Sequence, residues 1–329
     1  MPDKPKVAFY WCASCGGCDE AVLDLADKVL DLLATVEIVF WPVAIDYKRQ
    51  DVEAAPDGFI RVAFLTGAVR TTEQEEMAEL LRRKSQVVVA FGTCAQLGGI
   101  PGLANLTDSK SILDEVYVHN ATTENREGNL PAVTSHDRQN ELKLPWFYNN
   151  VRTLDQVIEV DYYVPGCPPV PAIISQAIHA LLSDSPPPKG TVLAPDIALC
   201  EECPRRESKP EHLAFKHFKR PHQVLIEQDR CLLAQEILCM GPATRAGCDA
   251  VCIAGNMPCT GCCGPTGRVK DQGAKLVSAI GSAIDSNDQQ EIDRTLDGIP
   301  DPVGTFYRYS LAASLLRGRR PSARTNPES

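Results

Sequence analysis

Nine of the chain's fourteen cysteines fall between Cys200 and Cys263, within one-fifth of its 329 residues. The other five stand upstream in short Gly- and Pro-rich elements. Cys12, Cys15 and Cys18 lie in CASCGGC, Cys94 in GTC and Cys167 in PGCPP. Thiols grouped in twos and threes at such spacings are what soft metal centres require, and iron–sulfur clusters take about four cysteines each. Fourteen cysteines suffice for three such sets with two left over.

Composition narrows the surroundings of these thiols. The chain is 44% hydrophobic and 23% charged, ordinary for a globular protein. Its formal net charge is −10 with no block of Lys or Arg, so a nucleic-acid-binding role is disfavoured for want of a basic face. No apolar run approaches the roughly 18 residues of a membrane span. The opening MPDKPKVAFYWCASC has no charged-then-apolar leader, which predicts a cytoplasmic protein. In that reducing compartment, many cysteines argue for metal ligation over disulfides.

Short apolar segments alternate with helix-like ones through the first half. Lys6–Trp11, Val36–Trp41, Ile60–Thr66 and Gln86–Phe91 read as strands. Asp19–Leu33 and about Thr72 to Arg83 carry the three- and four-residue apolar spacing of amphipathic helices. The pattern predicts an α/β fold with a doubly wound parallel sheet, whose sites form beyond the carboxyl ends of its strands. Cys15 and Cys18 follow the first strand, Cys94 the fourth, and Cys167 the apolar run Val160–Val164. Strand ends distant in sequence thus direct four thiols to one edge. The segment from Asn105 to about Trp146 is polar and reads as a long excursion with some local helix.

Ile173–Leu182 reads as the helix closing a first domain, residues 1–184. Ser185–Lys189 (SPPPK) is a stiff break, and residues 185–329 form a second, mostly irregular Cys-rich iron–sulfur domain with short helices. In it, Ala274–Ile284 is the last expected helix, and Arg317–Ser329 reads as a flexible tail.

A zinc-stabilised scaffold is the main alternative for the thiols, since a CxxC pair alone serves zinc equally well. Structural zinc usually joins two local pairs, whereas the first group draws single cysteines from separate strand ends. In the second group, Cys200, Cys203, Cys231, Cys239, Cys248, Cys252, Cys259, Cys262 and Cys263, eight of nine divide into two sets of four. So many sulfur ligands with almost no histidine among them favour clusters. His119, His136, His179, His212, His217 and His222 are scattered. The basic stretch HLAFKHFKRPH reads as solvated surface, with docking of an acidic electron partner as the alternative.

The order of motifs resembles the small, electron-transferring subunits of [NiFe] hydrogenases, above all the gamma subunits of cytoplasmic methyl-viologen-reducing (F420-non-reducing) hydrogenases associated with heterodisulfide reductase. The resemblance covers nearly the whole chain, through SCGGCDEAV, FGTCAQLGGIPGLANL, VRTLDQVIEVDYYVPGCPP, CEECPRR, CLLAQEILCMGPATRAGC and PCTGC. It implies a flavodoxin-like domain followed by a cluster domain, with three [4Fe-4S] clusters bound through iron. The proximal cluster would be held by Cys15, Cys18, Cys94 and Cys167. The distal one would take Cys200, Cys203, Cys231 and Cys239, and the medial one Cys248, Cys252, Cys259 and Cys262.

Cys12 and Cys263 are left over and read as buried free thiols. Glu20 matches the acidic position of the family's CxGCxE pattern, which suggests a proton path; a favourable helix N-terminal Glu is the equal alternative. The resemblance further implies that hydrogen is split on a separate large subunit, with no catalytic residue in this chain. That subunit would meet Trp11–Glu20 and Gly92–Gly102. Electrons would leave through a small iron–sulfur delta-type subunit to heterodisulfide reductase. Competing readings are an electron-relay subunit of a formate-linked or complex I-like assembly and the zinc scaffold.

Overall fold

The structure is a computed structural model that describes residues 4–25, 30, 34–183 and 185–316. Ten strands are present among them: β1 (Lys6–Trp11), β2 (Glu37–Phe40), β3 (Ile60–Thr66), β4 (Val69–Thr71), β5 (Ser85–Phe91), β6 (Thr134–Asp137), β7 (Asn140–Lys143), β8 (Phe147–Arg152), β9 (Tyr162–Val164) and β10 (Thr191–Val192). Six of them form one sheet in the order β10-β9-β5-β3-β1-β2, and every pairing in it is parallel. The order from β2 to β9 is that of a flavodoxin-like sheet, as the motifs imply.

A parallel sheet needs helical crossovers that cover both faces, so its strands are apolar on both sides. On one face Val7, Phe9, Phe64 and Phe91 pack with Val22 of the helix Gly17–Leu23 and Ile174 of the helix Pro171–Leu182. On the other, Ala8, Ala63, Leu65 and Val88 pack with Met77 and Leu81 of the helix Thr72–Lys84. That helix starts where β4 stops because the Thr71 hydroxyl accepts the Gln74 N–H while the Gln74 amide oxygen takes the Thr71 N–H. Arg82, Arg83 and Lys84 at its far end complement the helix dipole.

Beyond the sheet a separate core forms around Leu199, Phe215, Ile237, Met240, Leu276 and Phe306, under turns that carry the later cysteines. Arg245 joins it to the sheet domain. Its guanidinium donates to the carbonyls of Ala194 (3.3 Å), Pro195 (3.1 Å) and Pro265 (3.3 Å) and pairs with Asp196 at 2.9 Å.

Several elements differ from expectation. The helix expected over Asp19–Leu33 is described as Gly17–Leu23, and residues 26–29 and 31–33 lie outside the described set. The excursion after Asn105 holds the helix Ser109–Asp114, a π turn Glu115–His119 and the hairpin β6–β7. All eight residues of β6 and β7 are exposed, so no apolar alternation announces them. The helix expected at Ala274–Ile284 spans Gln272–Gly281 and is not the last. Gln289–Leu296 and Pro302–Phe306 follow, capped by the carboxylates of Asp288 and Asp301. The expected tail Arg317–Ser329 lies outside the described residues.

Candidate metal centres

Three loops leave the carboxyl edge of the sheet and bring the first four thiols together. After β1 the chain turns through Gly16, whose φ of 86° is left-handed, and Cys18 enters the helix that starts at Gly17. After β5, Gly92 leads to Cys94, and after β9, Gly166 leads to Cys167. Gly92 must lack a side chain, because a Cβ there would collide with the Cys18 sulfur. Thr93, fully buried, locks two of the loops: its N–H donates to the Gly166 carbonyl at 2.9 Å and its hydroxyl accepts the Gly166 N–H at 3.1 Å.

These thiols act on one another. Burial pushes the Cys94 thiol up to about 12, and Cys167 and Cys15 add to the shift. Burial likewise raises Cys167 to about 11, with Cys262 and Cys15 contributing. Cys18 is raised by burial and then by Cys94 and Cys167. Such a pocket resists four bare thiolates and favours cationic metal among them.

Cys200, Cys203, Cys231 and Cys239 form the second gathering. Burial lifts Cys200 to about 11, Lys209 opposes the rise, and the other three thiols reinforce it. A Cβ on Gly241 would stand 3.5 Å from the Cys200 sulfur and 3.6 Å from that of Cys239, so both sulfurs converge there. Arg205, 4% exposed, holds the surrounding turns. Its guanidinium donates to the carbonyls of Glu227 (3.3 Å), Arg230 (3.4 Å) and Ile253 (3.2 Å) and to Asn256 Oδ1 (2.6 Å).

Around Cys248 the arrangement is less simple. Cys252 is raised by burial and then by Cys262 and Cys248, which places these three near one another. Cys259 responds first to burial, then to Cys239 and more weakly to Cys262, and so stands between the second and third gatherings. Cys263, expected as a leftover thiol, is buried and hydrogen-bonds through sulfur to both Cys248 and Cys262. Those bonds raise Cys263 and bring Cys262 down to about 7. Cys12 is also buried, and burial alone lifts it to about 12.

The residues beside the thiols divide in the same way. Glu20 is exposed on the first turn of its helix. Its neighbour Asp19 is buried, and its carboxylate accepts from Trp41 Nε1 at 2.9 Å and from the Thr66 hydroxyl at 3.2 Å. Burial raises the Asp19 pKa against the pull of both bonds. Nothing local marks this residue, since both partners are distant in sequence. His119 and His179 hydrogen-bond to carbonyls of their own helical turns, those of Asp114 and Ser175.

Among the described residues, no three His, Cys, Asp or Glu side chains are gathered tightly enough for a single metal ion. All-sulfur donor sets with glycines clearing space beside them suit iron–sulfur clusters. Fold and donor chemistry together define an iron–sulfur subunit of an oxidoreductase.

Comparison with known proteins makes this specific. Residues 15–181 match the family described as NADH ubiquinone oxidoreductase, 20 Kd subunit. The chain is 38% identical over 314 residues to the iron-sulfur subunit of the F420-non-reducing hydrogenase of Archaeoglobus profundus, covering 94% of this chain and 97% of that one. It is 39% identical over 319 residues to the corresponding chain of the F420-non-reducing hydrogenase of Methanothermobacter thermautotrophicus, covering 96% and 97%. The fold also resembles a chain of the [NiFeSe]-hydrogenase of Desulfomicrobium baculatum, with a TM-score of 0.51 at 19% identity over 80% of this chain and 95% of that one. The chain belongs to the family of F420-non-reducing hydrogenase iron-sulfur subunits, which are hydrogenase small subunits.

Proposed function

We propose that the chain is the electron-relay subunit of a cytoplasmic [NiFe] hydrogenase and holds three [4Fe-4S] clusters. The proximal set is Cys15, Cys18, Cys94 and Cys167; the medial set is Cys248, Cys252, Cys259 and Cys262; the distal set is Cys200, Cys203, Cys231 and Cys239. Iron–sulfur clusters bound there would supply carriers for single electrons. The chain's own residues bind them through sulfur, keep them in buried loops and fix their spacing. Residues 1–184 would hold the proximal set and residues 185–329, which also supply β10 to the edge of the sheet, the other two.

The observation that carries this reading is the linkage between successive sets. The Thr93 hydroxyl, beside Cys94, donates to the carbonyl of Cys262. The Glu202 carboxylate, within the Cys200–Cys203 pair, accepts the N–H of Cys248 at 3.2 Å. Each contact joins one thiol set to the next, in the order a relay requires.

The expected partners are a [NiFe] large subunit at the proximal loops and, beyond the distal set, a small iron–sulfur subunit leading to heterodisulfide reductase. A role for Glu20 in a proton path at that first interface goes with the proposal, and its exposure suits it. No helix among the described residues is long and apolar enough to cross a membrane.

A complex I-like relay is favoured by one observation, the family match over residues 15–181. The later cysteines lie outside that match and weigh against it. Anaerobic purification with identification of the partner chains, iron and sulfide analysis, and EPR of the reduced protein test the proposal. About twelve irons per chain are expected, four for each cluster. Zinc without a paramagnetic signal would sink it.

A further inference from the structure

Arg70 lies in the middle of β4 and is only 8% exposed. Its guanidinium carbon stands 4.2 Å from the centre of the Phe147 ring. Nε and Nη2 are buried and have no acceptor. Burial lowers the Arg70 pKa, and no carboxylate is at hand to raise it. Buried charges are ordinarily paired, because an unpaired one is strongly disfavoured away from water.

Arg152 shows what is missing. It sits in β8 opposite Val69 and covers the Tyr148 ring at 4.8 Å, but it also pairs with Glu75 at 2.9 Å. Glu75 further accepts the Tyr148 hydroxyl and is committed to that group. The sequence has 43 acidic residues, so the lack of one at Arg70 is not a shortage of carboxylates.

The surroundings place Arg70 beside the proximal loop. Just before β4, Ala68 exchanges backbone hydrogen bonds of 2.9 and 3.0 Å with Ala13, in the loop that carries Cys15. Just after it, Thr72 takes the Trp146 N–H on its hydroxyl at 3.0 Å and donates its own N–H to the Trp146 carbonyl at 3.1 Å. Trp11 and Trp146 are each 40% exposed and Leu144 is 52% exposed. Exposed apolar side chains thus stand at the end of β1 and just before β8, the partner of the strand that carries this unpaired cation.

We propose that Arg70 receives a carboxylate from the partner subunit, which enters beside Phe147 as that subunit covers Trp11 and Trp146. The guanidinium fork matches a carboxylate with two parallel N–H···O bonds, and the ring keeps water from competing. The inference rests on the proposed function, in which a large subunit meets the proximal loop.

The test compares wild type, Arg70→Met and Arg70→Lys, each as the loaded full chain alone and in complex with the large subunit of the same organism. Arg70→Met is expected to raise the thermal midpoint of the lone chain by about 2 °C or more, since an unpaired buried charge is removed. The same change is expected to weaken the complex about 30-fold or more, since the partner's carboxylate loses its mate. Arg70→Lys keeps the charge without the fork and should fall between. An Arg70→Met complex as tight as wild type overturns the inference and leaves the proposed function standing. A lone chain destabilised by Arg70→Met also overturns it, because Arg70 would then have its anion within the chain. If the wild-type chain forms no complex with a large subunit, the proposed function fails and the inference with it.

Discussion

The carboxylate of Glu202 accepts the backbone N–H groups of both Gly247 and Cys248, at 2.9 to 3.2 Å. Glu202 lies between Cys200 and Cys203, so one side chain ties the second thiol set to the first cysteine of the third. Glu202→Ala leaves those N–H groups without a charged acceptor, at a cost of about 1.5–3 kcal/mol. The expected outcome is a lower denaturant midpoint and altered spin–spin coupling between the two sets' clusters in EPR. Glu202→Gln keeps one acceptor oxygen and should lose less.

Arg205 works from the same motif in the opposite sense, donating where Glu202 accepts. Arg205→Met removes four donated bonds and strands the carbonyls of Glu227, Arg230 and Ile253. A loss on the order of 3 kcal/mol is expected, since bonds to charged groups are the strong ones. The positive charge also favours an added electron nearby. Redox titration followed by EPR should therefore find the neighbouring potentials lower in Arg205→Met and nearer wild type in Arg205→Lys.

Thr93 makes a similar connection on the other side of the third set. Its hydroxyl accepts from Gly166 and donates to the Cys262 carbonyl. Thr93→Val keeps the shape and removes both bonds, leaving two buried backbone groups unsatisfied at about 1–3 kcal/mol each. Thermal melts should show that loss, and Thr93→Ser should recover most of it. A Val variant as stable as wild type with unchanged EPR signals would contradict the role given to Thr93.

How much of this was legible in the sequence depends on how local each signal is. Ile60–Thr66 and Ser85–Phe91 announce themselves because both faces of the sheet are buried, leaving nearly unbroken apolar runs. The thiol loops are legible because glycine and cysteine stand together at strand ends. Asp19 is not, since Trp41 and Thr66 reach it only once the sheet has formed. Arg70 is hidden for the converse reason: the absence of an acceptor is a property of the folded surroundings. The short helices after Ser282 rest on single Asp caps, too little periodicity for recognition.

Asp161 links the sheet's outer strands and predicts a pH dependence. Its buried carboxylate accepts from Arg82 Nη1 at 2.7 Å, Lys189 Nζ at 2.6 Å and the Val88 N–H at 2.8 Å. Burial pushes its pKa up, but the bonds from Lys189 and Arg82 outweigh this and hold it below the usual carboxylate value. A depressed carboxylate stabilises the fold above its unfolded pKa of about 3.9 and loses that effect as pH falls through the folded pKa. Asp161→Asn should cost about 1–3 kcal/mol at neutral pH, since Arg82 and the Val88 N–H lose a charged acceptor while the exposed Lys189 returns to water. The gap between wild-type and variant melting temperatures should narrow below about pH 4.

The third thiol set offers the sharpest test of the ligand assignment, because two cysteines compete for one place in it. Cys252 is exposed on the short helix Val251–Ala254, whereas Cys263 is buried against Cys248 and Cys262. Proximity alone favours Cys263. The proposed assignment instead gives that place to Cys252, the cysteine that completes the set in the motif order. Cys252 has solvent on one side and two set members on the other, so it can meet a cluster from outside the buried wall. Cys252→Ala is therefore expected to lower iron by about one atom or more per chain and to convert or abolish one EPR signal, since a four-iron cluster takes four cysteines. Cys263→Ala should keep full iron content and alter the signal only slightly. The reverse outcome would move Cys263 into the ligand set and leave Cys252 as a surface thiol.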